Sequence, residues 1–217
     1  MKIIDGRELG LWFDGTTKRA AATRYLALHW TGGSDAGTVV DQATRVYATL
    51  VARGDSIHFV GCADGTFVQM ADLDAHCVHV GSAHNDDSIG CEFVCPGSSG
   101  LAPAVPRPLF QSIVHGAPVT YWGFTSAQVR AAAQLAQAIL WRYGISYLGT
   151  PVCLDDTKPP SFDGGVIGHF QVSGDKVDPG PATMVQVRSA MVDSKIGATG
   201  VSLALSSIAS TILKKWG

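Results

Sequence analysis

GHFQVSGDKVDPG, from Gly168 to Gly180, sets His169 and Asp178 nine positions apart, with Lys176 just before the Asp and a Pro-Gly stop directly after it. An imidazole, a carboxylate and a neighbouring ammonium suit a catalytic zinc site, which takes three protein ligands and keeps a fourth position open for water. Upstream, Val166 to Phe170 reads as a short final strand that delivers His169. Much further upstream YLALHWTGG, from Tyr25 to Gly33, reads as a buried strand ending beside His29. Between them SIGCEFV places Glu92 on a strand whose neighbours are almost all apolar.

The segments around these strands have their own signatures. Thr38 is a good N-cap for a helix in which Val39, Ala43, Val46, Leu50 and Val51 recur at helical spacing, and Gly54 suits its end. Ser56 to Gly61 and Thr66 to Met70 read as a hairpin across Ala63-Asp64-Gly65. The strand from Ser88 to Cys95 puts Ile89, Cys91, Phe93 and Cys95 on one face and Glu92 on the other. Pro96 to Trp122 is rich in Pro, Gly and Ser and reads as a long loop or insertion. Thr125 and Gln128 then form a capping-box pattern at the start of the clearest helix, which runs toward Gly144. Strands interleaved with helices predict an α/β sandwich.

Composition bounds the function. With 217 residues, 46% hydrophobic and 16% charged, the chain suits one well-filled domain plus an appendage, divided here as 1–192 and 193–217. A net charge of −2 carries no electrostatic footprint for nucleic acid. The first residues lack the apolar run and cleavage site of a secretory signal, so the expectation is a protein made in the cytoplasm. Five cysteines form no framework spacing. Cys91 and Cys95, about 13 Å apart along a strand, are too distant for a disulfide and read as buried free thiols.

Four ordered motifs, LALHWTGG, SIHFVGCADGTFVQM, HVGSAHNDDSIGCEF and GHFQVSGDKVDPGP, resemble the zinc-dependent N-acetylmuramoyl-L-alanine amidases, the family that includes recycling amidases, amidase-type phage lysozymes and peptidoglycan recognition proteins. The resemblance runs from about Tyr25 to about Met184. It implies a mixed central sheet flanked by helices, with a Zn²⁺ cleft at one edge or face and His29, His169 and Asp178 as metal ligands. The family's ligand directly precedes Pro-Gly, which selects Asp178 over Asp175. Glu92 stands in the IG-x-E context that supplies the catalytic carboxylate of recycling-type members. Ile57 stands before His58, where phage and recognition members carry a Tyr. Lys176 matches the lysine that stabilises the oxyanion. His79 aligns with the histidine of the family's WHAG motif, with Val78 and Val80 replacing Trp and Ala, and Asn85 matches its ND-x-SIG pattern. Both are candidate substrate contacts, with Asn85 equally a support for its loop, and Trp30 beside His29 either lines the cleft as a third contact or belongs to the core. His58 reads as a buried, hydrogen-bonded strand histidine, and His76, His84 and His115 carry no signal.

By this resemblance the bond cut is the amide between N-acetylmuramic acid and the L-alanine of the stem peptide. Peptidoglycan or a muropeptide is then the partner. A phage or prophage lysin acting on the cell wall after release is the first expectation, and a cytoplasmic recycling amidase or a non-catalytic peptidoglycan-binding module the alternatives. From Gly200 to Gly217, Val201, Ala204, Leu205, Ile208, Ile212 and Trp216 recur at helical spacing ahead of the last residues, predicting a C-terminal amphipathic helix about 25 Å long. It is too short to span a bilayer, and either docks on the core or makes weak membrane contact through its apolar face and Lys214-Lys215.

Overall fold

The computed structural model describes residues 1–145 and 164–196. In chain order these hold β1 (Ile3–Asp5), β2 (Tyr25–Trp30), α1 (Val39–Arg53), β3 (Phe59–Gly61), β4 (Phe67–Gln69), β5 (Ser88–Phe93), β6 (Leu109–Val114), β7 (Ala117–Trp122), α2 (Ser126–Arg142), β8 (Gly165–Gly168) and α3 (Pro181–Ile196). Six strands form one sheet in the order β1-β4-β3-β5-β2-β8, and β6 pairs only with β7. In the large sheet only β3 and β4 run antiparallel. This is the mixed, helix-flanked sheet that the motifs imply.

Alternation along the strands sorts side chains to two cores. Leu26, Leu28, Ile89, Cys91 and Phe93 pack with α2 and α3 on one face. Val60 and Val68 meet Ala43, Val46 and Leu50 of α1 on the other. β2 and β5 are apolar along almost their whole length because both of their faces are covered. α1 and α2 begin with complete capping boxes, Thr38 with Asp41 and Thr125 with Gln128, which satisfy amide groups that would otherwise lack partners.

Three sequence readings change. Pro96 to Trp122 is not a loop throughout: its second half is the β6–β7 hairpin, joined by His115 and Gly116 at φ 52° and 79°. Two consecutive positive φ values make the two-residue turn whose twist matches that of the strands it joins. The hairpin was hidden because its first residue is His rather than Asn or Asp, and because its strands expose one face to solvent. A first strand, β1, escaped notice because it is three residues long. α3 was also unread, and it runs to Ile196, past the shift in composition at Asp193.

Cys62, Cys77, Cys91 and Cys95 are free and buried, and burial pushes the Cys62 and Cys77 thiols up to about 12. Cys153 and the expected amphipathic helix from Gly200 to Gly217 lie outside the described residues. Among the described residues no helix is long and apolar enough to cross a membrane.

Candidate metal centre and active site

β5, β2 and β8 are adjacent and parallel, so their C-terminal ends open at the same side of the sheet, where ligand crevices of α/β sheets form. Register does the rest. His29 pairs with Glu92, and Leu28 pairs with Gly168, so His169 follows level with His29. Neighbouring strands lie about 4.8 Å apart. Three polar residues distant in sequence thus stand in one row. β8 ends at Gly168, and the chain turns through a 3-10 segment, His169–Gln171. It then returns so that the Phe170 amide donates to the Asp178 carbonyl at 2.9 Å.

His29 Nδ1 lies 3.1 Å from His169 Nδ1, and Asp178 Oδ2 lies 3.3 Å from each of them. His29 and Asp178 are buried. Burial disfavours the charged form of Asp178, but the adjoining His169 and His29 imidazoles outweigh it and hold the carboxyl well below the usual range. Burial lowers the His29 pKa, with the Asp178 carboxylate working against the shift. Three atoms that each carry a lone pair converge here and repel unless a proton or cation sits among them. Ligands bound tetrahedrally to zinc at about 2.0–2.1 Å lie about 3.3 Å from one another, so this donor set fits that ion.

Glu92 points to the same face as His29. Its Oε2 is buried without a hydrogen-bond partner, and burial followed by the Asp178 charge raises its pKa well above the ordinary value. It lines a cavity of about 160 Å³ beside α1, together with Thr31, Gly33, Gln42, Arg45, Leu50 and Arg53. Lys176 is half-exposed, its ammonium 3.8 Å from Asp175 and its carbonyl 3.1 Å from His115 Nε2.

The three residues read as candidate substrate contacts have these surroundings. His79 Nδ1 lies 3.1 Å from His29 Nε2, and its Nε2 lies 3.2 Å from Ser88 Oγ. Asn85 is buried, and its Oδ1 accepts from the amides of His79 and Val80, so it braces the loop from behind. Trp30 follows His29 on the opposite face, where it packs on Tyr121 and under Gly97. His58 is fully buried as expected, with Nδ1 accepting from the Gly90 amide and Nε2 meeting the Ala75 carbonyl.

Residues 19–181 match the family model described as N-acetylmuramoyl-L-alanine amidase. The chain belongs to this amidase family. His29, Glu92, His169, Lys176 and Asp178 all fall within the matched segment. No curated protein sequence matches the chain significantly. Among solved structures, an endolysin of the Thermus scotoductus bacteriophage Ph2119 is similar at 17% identity and TM-score 0.55, covering 88% of this chain and 99% of its own. The Staphylococcus aureus hydrolase AmiA is similar at 15% identity and TM-score 0.57, covering 91% and 86%. Drosophila PGRP-LB is similar at 14% identity and TM-score 0.56, covering 87% and 93%. At such identities these likenesses establish the amidase fold.

Sequence reasoning missed one support of the centre. Tyr121, on β7, receives a hydrogen bond from the Ala182 amide at 3.0 Å and lies against Gly180, where a Cβ would meet its ring at 2.3 Å. The hairpin therefore sits under the Asp-Pro-Gly segment that carries Asp178. Alternation around His115-Gly116 was the available signal.

Proposed function

We propose that this amidase-family chain is a zinc-dependent hydrolase that cleaves the amide between N-acetylmuramic acid and the L-alanine of the peptidoglycan stem. The convergence of His29 Nδ1, His169 Nδ1 and Asp178 Oδ2 within 3.3 Å, with Glu92 in register beside them, carries the reading. A zinc ion held by these three residues would lower the pKa of a water molecule and polarise the scissile carbonyl.

The chain's own groups do the remainder. Glu92 takes the proton of the attacking water and returns it to the leaving amine, which suits a carboxyl whose proton affinity is raised by burial. Lys176 faces the charge that develops on the carbonyl oxygen. The cavity beside α1 receives the peptide side of the substrate, with Arg45 and Arg53 available to its carboxylates. Presence of both Glu92 and the complete ligand set favours an enzyme over a binding module. Action as a phage lysin is the setting we propose, in keeping with an endolysin whose whole length this fold matches.

Zinc content and turnover on purified sacculi and on soluble muropeptides, with products weighed by mass spectrometry, test the proposal. Release of intact stem peptide from the lactyl group is expected. Glu92→Gln should keep its zinc and lose a factor on the order of 10²–10⁴ in turnover. Wild-type turnover in that variant, or cleavage within the stem, would overturn the assignment.

A further inference from the structure

Behind the metal centre runs a chain of hydrogen bonds: His29 Nε2 to His79 Nδ1 at 3.1 Å, His79 Nε2 to Ser88 Oγ at 3.2 Å, and Ser88 Oγ to the His84 carbonyl at 2.5 Å. Its far end is a carbonyl, which can only accept. The Ser88 hydroxyl therefore donates to His84, because the reverse would set two acceptor oxygens against each other at 2.5 Å. With its proton committed, Ser88 Oγ accepts from His79 Nε2–H. A neutral imidazole carries one N–H and one bare nitrogen. His79 Nδ1 is then the acceptor, His29 Nε2 the donor, and His29 Nδ1 the nitrogen left with its lone pair. That nitrogen is the one facing His169 and Asp178.

We infer that His79 and Ser88 are positioning residues, a polarised relay that fixes the tautomer of His29 and so presents Nδ1 to the metal. The inference rests on the zinc reading above and adds to it what selects the ligand atom. The fold holds each member in place. Ser88 opens β5 and is fully buried. Asn85 Oδ1 fixes the His79 and Val80 backbone. Gly90 leaves the space that the His79 ring occupies, since a Cβ there would stand 2.6 Å from Nδ1 and 2.4 Å from Ile57 Cδ1. Without the Ser88 acceptor, His79 is free to carry its proton on Nδ1. It would then confront the His29 Nε2 proton and drive His29 toward the tautomer that blocks the metal. Partners of this kind are worth about 10–100-fold in metal affinity.

Two measurements on the full chain decide it. Long-range ¹H–¹⁵N spectra of the metal-free protein should show His29 and His79 both protonated on Nε2. Competition with a chromophoric chelator should show Ser88→Ala and His79→Leu binding Zn²⁺ at least about 10-fold more weakly. His79→Asn, which keeps an oxygen near the Nδ1 position, should lose less than His79→Leu. A proton on His79 Nδ1 in the wild type, or unchanged zinc affinity in Ser88→Ala, overturns the relay. A wild type that binds no zinc overturns the amidase mechanism instead, while the tautomer spectra still judge the relay.

Discussion

Glu92 illustrates what the carboxyl proposed for catalysis costs its fold. Its buried Oε2 has no partner, and Asp178 adds a like charge, so the folded protein holds the Glu92 proton to a higher pH than the unfolded chain does. Above the unfolded value of about 4.5 the folded state binds more protons, and stability falls as pH rises toward the folded pKa. Metal-free Glu92→Gln is therefore expected to unfold at a higher temperature than wild type, by a margin near zero at pH 4 and growing toward pH 8. Thermal unfolding across that range checks it, and a margin independent of pH would contradict it. Lys176→Ala should reduce kcat more than it raises KM, because an oxyanion contact strengthens in the transition state. Steady-state kinetics separate these, and a pure KM effect would remove Lys176 from that role. The residues proposed for chemistry were legible because strand ends and a Pro-Gly stop flag His29, His169 and Asp178, and an apolar strand flags Glu92. The partner of His79 was not, since a bond between His29 and His79 depends on how a loop folds back over Gly90.

Short, half-exposed elements escape a sequence reading because they bury too little to leave a strong pattern, yet here they hold the centre. The β6–β7 hairpin reaches the Asp178 loop through Tyr121, whose hydroxyl also lies 3.2 Å from Ser112 Oγ. Tyr121→Phe keeps the ring against Gly180 and removes the acceptor for the Ala182 amide. A loss of about 0.5–1.5 kcal/mol is expected, with weaker zinc binding as its companion, and chemical denaturation with a metal titration measures both. An unchanged unfolding midpoint would show that the amide finds water instead. His58 ties β5 to the turn at Ala75, and burial lowers its pKa to about 3. The unfolded chain gains this proton near pH 6.5 and the folded one does not, so its contribution is complete above pH 6.5 and lost as pH falls toward 3. His58→Gln should flatten the acid limb of the stability curve, and a limb of unchanged slope would exclude His58 as its source.

At the scale of the whole fold, a buried ion pair among the described residues joins segments that the sheet does not connect. The Arg107 and Asp35 side chains are both fully buried, Nε to Oδ2 at 2.6 Å. The guanidinium also donates to the carbonyls of Val94 and Gly123 and to Gln128 Oε1, while Asp35 Oδ1 accepts from the Ala104 amide. These bonds clamp the loop after β2, the end of β5, the segment before the hairpin and the start of α2 around one cation. Gln128 extends the clamp to Gly61 on β3. No periodicity announces such a network, because its side chains are three single polar residues, Asp35, Arg107 and Gln128, in separate loops and a helix start, and the rest are backbone groups. Its energetics are asymmetric. Removing one partner leaves the other charge buried and uncompensated, which costs about 3–5 kcal/mol, whereas replacing both with apolar groups of similar volume is often neutral. Against a typical domain stability of about 5–15 kcal/mol, the single loss is severe. Asp35→Leu and Arg107→Met should each lower the urea midpoint strongly, and the double variant should recover most of the loss. Ser34 and Thr31, on the loop that Asp35 anchors, line the cavity beside Glu92. The double variant is therefore expected to regain stability without regaining the wild-type KM, since an apolar pair restores packing but not the bonds that set the loop's position. Full recovery of both would show that the clamp serves folding alone.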